Sequence, residues 1–600
     1  MDRLSCAQPP GRWSRTKRSR DHRGVRHHHP ARRRRRCQPR PGWQPADQRC
    51  EHVMPMDAVT LTVVRNAISD VASEMDITLE SMAFSPVISE ARDRSSGIYN
   101  ASDGSIIAQG VEAMPFFVST MEFTVRSCLS LLDDLGPADV IITNDPYLGG
   151  SHLMDVKLVR PFFHGGELVA VLANAAHWVD IGGGVPGSYK LDARHVVEEG
   201  VRIPPIRLVR DGTLDQGILS LLLGNVRNPR LARGDLEAQL ACLEVGRRRL
   251  EQVFDRFGRE LVSTAVAELR ARSADQLRDL LRDVPNGTFR AEAALDNDGV
   301  DPVPVRCQVA ITVSRAEVTI DFDGSDPPCR GAFNAARASV YAGVWSALLH
   351  VFPEVTPSGG VGDAVTVHVP DKSFLNAAYP MPVSGSSGEV AAMVASAVYR
   401  ALAQAVPDRC GADFYFSVGG FTIGGTRESG EEFVLFWFGG GGYGAHPDVD
   451  GATNGNSVVG WSRSTPVEVI ERMYPVRIWR YELRPDSGGA GAHRGGLGAI
   501  IEVELLATDA SLSVLADNAD HPPRGAGGGG AGAGTLVEVV RASGDAVELP
   551  LHPHVSGLRL WEGDRVLLAT PGGGGWGDPR LRSAGLVDYD RRNGYVTDER

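Results

Sequence analysis

Apolar positions recur at three- and four-residue spacing from Asp57 onward: Leu61, Val64, Ile68, Val71, Met75 and Leu79 mark one face of DAVTLTVVRNAISDVASEMDITLESMAF. That period predicts a long amphipathic helix, because residues so spaced stack on one side of a helical cylinder. The pattern then shortens. SEARDRSSGIYNASDGSIIAQG reads as two short strands about a turn at Asn100 to Gly104, and a second helix is expected around Ser119 to Leu132. ADVIIT is a strand that delivers Asn144 and Asp145 at its C-terminal end.

Next come two apolar runs, LVRPFF and LVAVLANAA, joined by HGGE, whose glycines suit a tight connection. An antiparallel hairpin is predicted. The groups just before its first strand (His152, Asp155) and just after its second (His177, Asp180) would then meet at one end. Residues 233–283 are rich in Leu, Ala, Arg and Glu at helical period and predict long solvent-faced helices. Val303 to Asp323 reads as two strands about SRAE, while Ala335 to Val351 and Glu389 to Val406 read as helices. After residue 411 the strands FYFSVGGFTIGG, EEFVLFWFGGGG, RIWRYELR, AIIEVELL, TLVEVV and DRVLLATPGGGG are separated by glycine, and GAGGGGAGAG is expected to be a flexible loop. The pattern predicts an α+β class: a large mixed α/β protein with several mixed sheets, divided into residues 1–54, 55–290, 291–410 and a β-rich 411–600.

Composition narrows the class. With 42% hydrophobic and 23% charged residues the chain has the balance of a soluble globular protein. It has neither a long uninterrupted apolar run nor a secretory signal, so a cytoplasmic location is expected and no membrane partner. The eight cysteines, Cys6, Cys37, Cys50, Cys128, Cys242, Cys307, Cys329 and Cys410, form no CxxC pair and read as core thiols. Charge is uneven: residues 1–54 hold 14 Arg and one Lys against four acidic residues, a net of +11, so the formal −12 of the whole leaves −23 for the rest. This basic arm is expected to be a disordered extension upstream of a misassigned start, with Met54 and Met56 beside the first periodic segment, rather than a nucleic-acid binder.

The candidate chemistry lies between Asn144 and Gly184, where Asp145, His152, Asp155, His177 and Asp180 surround the hairpin. Neutral imidazole plus carboxylate is a donor set that zinc, manganese or ferrous iron accepts, and no thiolate is near to close a structural zinc site. Turn-stabilising Asp and satisfied His at strand ends is the other reading of the same residues. FGGGGYGA, DSGGAGAHRGGLG and TPGGGGWGDP offer backbone amides, but none is a GxxxxGK[ST] or a GxGxxG between strand and helix, so no nucleotide site is expected and structural glycine is preferred.

Collinear segments from Asp57 onward, among them AFSPVISEARDRS, NDPYLGGSHLMDV, NAAHWVDIGGGVPGS, GNVRNPRLARGDLEAQ, TIDFDGSDPPCRGAFNA, GGGGYGAHPDVDG and TPVEVIERMYPVRIWRYELRPDSGGAGAHRGGLG, resemble the hydantoinase B/5-oxoprolinase family. The resemblance implies the B-type subunit of an ATP-dependent hydantoinase-like enzyme. An A-type, kinase-like partner subunit would use ATP to phosphorylate the carbonyl oxygen of a small-molecule substrate, and this chain would then add water and open a cyclic amide. The alternatives are a subunit of an acetone- or acetophenone-type carboxylase and a non-catalytic assembly subunit. Carried over by position, His152, Asp155 and His177 match a divalent-metal ligand pattern, and Asp180 and Asp93 match acidic positions that would serve as fourth ligand and general base in either order. Arg494 in the DSGGAGAHRGGLG loop would hold an anion of the intermediate.

Three departures bear on the substrate: Trp178 where many members have a second histidine, Phe117 in MPFFVSTM where an IPVHLGSM-like segment carries a histidine, and NGNSVV after the DVDG turn where another histidine is expected. Each removes a polar group, so the pocket is expected to be more apolar than one for a plain hydantoin.

Overall fold

The computed structural model describes residues 56–132 and 134–597; the basic stretch at residues 1–54 lies outside the described residues. The first element, α1 (Ala58–Met82), buries the predicted face from Leu61 to Leu79 and is started by the Asp57 carboxylate, which accepts from the Thr60 amide. After the short α2 (Pro86–Ser89), strands β1 (Arg94–Asn100) and β2 (Ile106–Gln109) form the expected hairpin. Helix α3 (Pro115–Leu131) begins four residues before the expected Ser119, because Pro115 occupies its first turn, where a missing amide hydrogen costs nothing. Then β3 (Val140–Thr143), β4 (Asp155–His164), β5 (Glu167–His177), β6 (Ile206–Arg210) and β7 (Thr213–Leu214) complete a seven-stranded sheet of order β2-β1-β5-β4-β3-β6-β7.

The β4–β5 connection is the predicted one. Gly165 (φ 62°) and Gly166 (φ 84°) both take left-handed backbone, the requirement of a two-residue turn that matches strand twist. Helices α4 (Gln216–Leu223), α5 (Pro229–Phe257) and α6 (Arg259–Leu281) follow. The expectation of solvent-faced helices is corrected for α5, which buries Leu236, Leu243 and Leu250 and packs along α1. Its stripe includes Gly246, where an added Cβ would stand 2.4 Å from Met75 Sδ. Small residues in the stripe hide it from a hydropathy reading while allowing the two helices to approach closely.

A second sheet, β11-β10-β9-β8, comprises β8 (Gly287–Leu295), β9 (Val305–Ser314), β10 (Glu317–Asp321) and β11 (Val365–His368). The helices α7 (Arg337–Val351) and α8 (Ala391–Ala405) pack against one another, and a π-helical turn at Ser386–Val390 leads into α8. Two further sheets follow: β13-β12-β16-β18, from β12 (Gly420–Thr426), β13 (Glu432–Trp437), β16 (Asp509–Leu515) and β18 (Val555–Trp561); and β14-β15-β19-β17, from β14 (Val476–Leu483), β15 (Ala499–Leu505), β17 (Leu536–Val540) and β19 (Arg565–Ala569). Between them lies an apolar core that includes Phe421, Leu435, Ile501, Val503 and Leu568. α9 (Val467–Met473) and α10 (Ala584–Arg592) complete the set. The sheets are less mixed than expected: among the described strands one pair, β10 with β11, runs parallel.

The stretch at residues 525–534, expected to be a flexible loop, is instead packed backbone against backbone with the other glycine-rich segments. Gly530 N donates to Ala490 O at 2.7 Å, Gly575 N to Gly530 O at 2.9 Å and Gly532 N to Pro523 O at 2.9 Å. A Cβ at Gly573 would fall 1.9 Å from Tyr443 O, and one at Gly496 1.9 Å from Ala452 O. Low complexity here reflects strands of main chain too close together to admit side chains.

Candidate metal centre

Three neighbouring strand ends build the site. Asp155 is the first residue of β4 and lies directly opposite His177, the last of β5, in the antiparallel register. Arg94 of β1 pairs with Ala176, so Asp93 falls beside His177, and its carbonyl accepts the His177 amide at 3.1 Å. His152 comes from the turn that enters β4. Because register fixes which side chains share a sheet end, these groups converge without further support.

One ligand atom each from His152, Asp155 and His177 lies within 4.8 Å of the others, and this is the one such group among the described residues. Asp155 Oδ1 is 3.6 Å from His152 Nε2 and 3.6 Å from His177 Nδ1, while Asp93 Oδ2 is 3.7 Å from the same Nδ1. These separations exceed hydrogen-bond length. They approach the roughly 3.4 Å between two donors that share a tetrahedral ion at about 2.1 Å, so the donor set fits a divalent cation. Ser151 Oγ donates to Asp155 Oδ2, leaving Oδ1 for the cluster.

The electrostatics suit the same use. All four side chains are buried. Burial pushes His152 down to about 4, outweighing the attraction of Asp155, and keeps the ring in its neutral, ligating form. Burial alone would raise Asp155, but the facing imidazoles and Lys157 together hold it below the usual carboxylate range. Asp93 is pushed up to about 7, chiefly by burial. The rings are oriented by packing: His177 stacks on Phe436 at 5.2 Å and meets His152 edge-on at 5.1 Å.

A cavity of about 50 Å³ opens on the cluster, bordered by Asp93, His152, Asp155, His177 and Tyr189 on one side and by Met114, Phe116, Phe117 and Phe438 on another. This is room for the reacting end of a small molecule rather than for a nucleotide. Phe117 and the segment carrying NGNSVV therefore do border the site, as their departures from the family pattern implied.

Other expected residues are placed elsewhere. Asp180 is not brought to the cluster: its oxygens accept from the amides of Gly182, Gly187 and Arg227 and from Arg227 Nη1 at 2.9 Å, which fixes the turn after β5. Asp145 pairs with Arg202 at 2.6 Å. Trp178 is buried away from the cavity with Nε1 donating to Gln239 Oε1 at 3.1 Å, so it is a packing residue. Arg494 is held by Gly495 O at 2.6 Å and by Asp590, over the ring of Tyr595, and does not border the cavity. Two residues went unnoticed in the sequence: Lys157, fully buried with Nζ 3.3 Å from Thr124 Oγ1 and from Gly149 O, and Tyr189, stacked near His177. Lys157 sits two residues beyond Asp155 in a strand, hence on the same face, which was a usable signal.

The family model described as hydantoinase B/oxoprolinase matches residues 57–579. The beta chain of the caprolactamase of Pseudomonas jessenii is 33% identical, over 90% of this chain and 94% of its own. The crystal structure of the ATP-dependent caprolactamase from that organism superposes with a TM-score of 0.85 at 31% identity, covering 91% of this chain and 95% of that one. The B-type subunit of a putative D-/L-hydantoinase from Pseudomonas sp. (strain NS671) is 29% identical over 91% and 94%. A nucleotide-free acetone carboxylase shares the fold, with a TM-score of 0.81 at 20% identity over 90% of this chain and 78% of that one. Among the described residues no helix is long and apolar enough to cross a membrane.

Proposed function

Because the chain belongs to the hydantoinase B/oxoprolinase family, we propose that it adds water to, and opens, a cyclic amide that a separate ATP-using subunit has activated on its carbonyl oxygen. His152, Asp155 and His177 hold a divalent cation of the zinc, manganese or iron kind. The chemistry such an ion supplies when bound is acidification of water and polarisation of the carbon under attack. Asp93, 3.7 Å from His177 Nδ1, receives the proton that water gives up and returns it to the ring nitrogen as the C–N bond breaks. The water's oxygen ends on the former carbonyl carbon and its proton on the released amine, leaving an acyl phosphate that a second water hydrolyses to the carboxylate and inorganic phosphate. Asp180 acts by holding Arg227 and the turn behind His177.

The observation that carries this reading is the convergence of three buried donor atoms within 4.8 Å, with a fourth acidic group alongside, at the mouth of one cavity. The similarity to the beta chain of a caprolactamase supports cyclic amide as the substrate class and a partner chain as the source of activation. The test is to purify the chain with its ATPase partner and follow ATP-dependent loss of lactams, hydantoins and ketones with and without bicarbonate. Ring opening that ignores bicarbonate is expected; turnover that needs it would replace this reading with a carboxylase.

A further inference from the structure

The wall of the cavity carries buried hydroxyls that no protein group satisfies. Ser387 and Ser457, both more than nine-tenths buried, border it, and the Oγ of each has no hydrogen-bond partner; the half-buried Ser462 repeats the pattern. A buried hydroxyl without a partner is costly and uncommon, and three around one cavity call for a ligand. Their positions are built. Ser387 stands in the π-helical turn Ser386–Val390, a distortion that recurs at functional sites, and Ser457 lies in the NGNSVV segment. The loss of histidine there leaves a smaller polar group in the site rather than none.

Charge completes the picture. Among the described residues bordering the cavity there is no Lys or Arg, and its two carboxylates are Asp93 and Asp155. Apart from the ion held by His152, Asp155 and His177, nothing bordering the cavity would pair a carboxylate carried by the substrate, whereas Phe116, Phe117 and Phe438 offer apolar surface.

We propose that Ser387 and Ser457 are substrate-positioning residues whose hydroxyls bind the amide end of an uncharged cyclic amide, with its hydrocarbon or aromatic body against the phenylalanine wall. This rests on the ring-opening reading above. The cavity thereby selects against carboxylated rings such as oxoproline.

The sharpest test uses a matched pair, pyrrolidinone and oxoproline, which differ by one carboxylate, with the intact complex of this chain and its ATPase partner. Pyrrolidinone is expected to be preferred at least about tenfold in kcat/KM. Ser387→Ala and Ser457→Ala should each raise KM about fivefold or more, with a smaller effect on kcat and unchanged metal content. Ser457→Thr, which keeps the hydroxyl, should recover part of the loss. Calorimetric binding of pyrrolidinone to the ATP-free complex, weakened similarly by either alanine, gives a readout independent of turnover. Preference for oxoproline, or alanine variants within twofold of the parent in KM and binding, would overturn the proposal while leaving ring opening intact. Consumption of a ketone only with bicarbonate would instead overturn the ring-opening reading, and the hydroxyl assignment would then be decided by the same variants' KM for that ketone.

Discussion

The end of the β4–β5 hairpin and the glycine-rich core of residues 439–577 are both dense, buried and polar, yet they are specified in opposite ways. At the hairpin end, side chains carry the information: Asp155, His177 and Asp93 are brought together by strand register, and the strands around them need only stay apolar. In the glycine-rich core the absence of side chains carries it. There Gly573, Gly530 and Gly575 bring main chain to main chain and satisfy amides and carbonyls directly. The contrast teaches that chemistry can fail without architecture in this molecule but not the other way round: a change at the hairpin end should remove reactivity and spare the fold, whereas a change in the glycine core should remove the fold and reactivity with it.

The largest expected effect is on the glycine side. Gly573→Val would drive a side chain into Tyr443 O, 1.9 Å from the ideal Cβ, where backbone cannot give way. A loss above about 3 kcal/mol is expected, read as insoluble expression or a collapsed thermal midpoint. A well-folded Gly573→Val protein would break the comparison outright. On the hairpin side, His177→Ala should cost roughly 100-fold or more in turnover and most of the bound metal, while circular dichroism and the melting midpoint stay close to the parent's. Unchanged metal content would remove the metal centre from the account.

A smaller effect tests a residue that adjoins both regions. Glu389 is fully buried, accepts from the Val418 amide at 3.3 Å, and is pushed up to about 8 by burial and then by Asp517. A carboxyl whose folded pKa lies above its unfolded value stabilises the fold when protonated; that contribution is complete below about 4.5 and is lost as pH rises through about 8. Stability should therefore fall between about pH 4.5 and pH 8, and Glu389→Gln, which mimics the protonated form, should flatten the fall by ~1 kcal/mol. The slope that remains belongs to the other buried carboxyls raised in the same way, among them Asp517, Asp296, Asp93, Asp76 and Glu122 near 7 and Glu199 near 8. An identical slope in the variant would show that Glu389 is not among the groups responsible. Smallest of all, Trp178→Phe should cost ~1 kcal/mol through the lost bond to Gln239 and leave substrate ratios within twofold, because the ring does not border the cavity. A changed substrate ratio would return Trp178 to the site.

How much of this was legible in the sequence follows the same division. The apolar period of α1, the HGGE turn and the alternation of the strands are local signals, and they led to the hairpin and to Asp145, His152, Asp155, His177 and Asp180 around it, which the family pattern narrowed to His152, Asp155 and His177. Asp93 was found through the family pattern, not through periodicity, because its neighbour in space, His177, is 84 residues away in the chain. Ser387 gave no signal and Ser457 only through the NGNSVV segment that carries it, since a serine's missing partner is a property of three-dimensional surroundings. Strands β16 and β18 went unnamed: ASLSVL and VSGLRLW alternate weakly and are interrupted by serine and glycine. Polyglycine reads as flexibility by composition, and only the crowding around Gly573 and Gly496 reveals the opposite. Asp180 and Arg494 misled for a shared reason: each is a charged residue beside glycines, and each is occupied by an internal partner.

The Gly165–Gly166 turn offers a practical handle. The space around the two glycines is open within 4 Å, so an insertion between them that keeps both in left-handed backbone is accommodated, and β5 runs eleven residues from there to His177, about 35 Å along a strand. A short epitope, a fluorophore or a surface tether could be grafted at that tip, so the protein can be labelled or immobilised at the far end of the same hairpin that carries its chemistry.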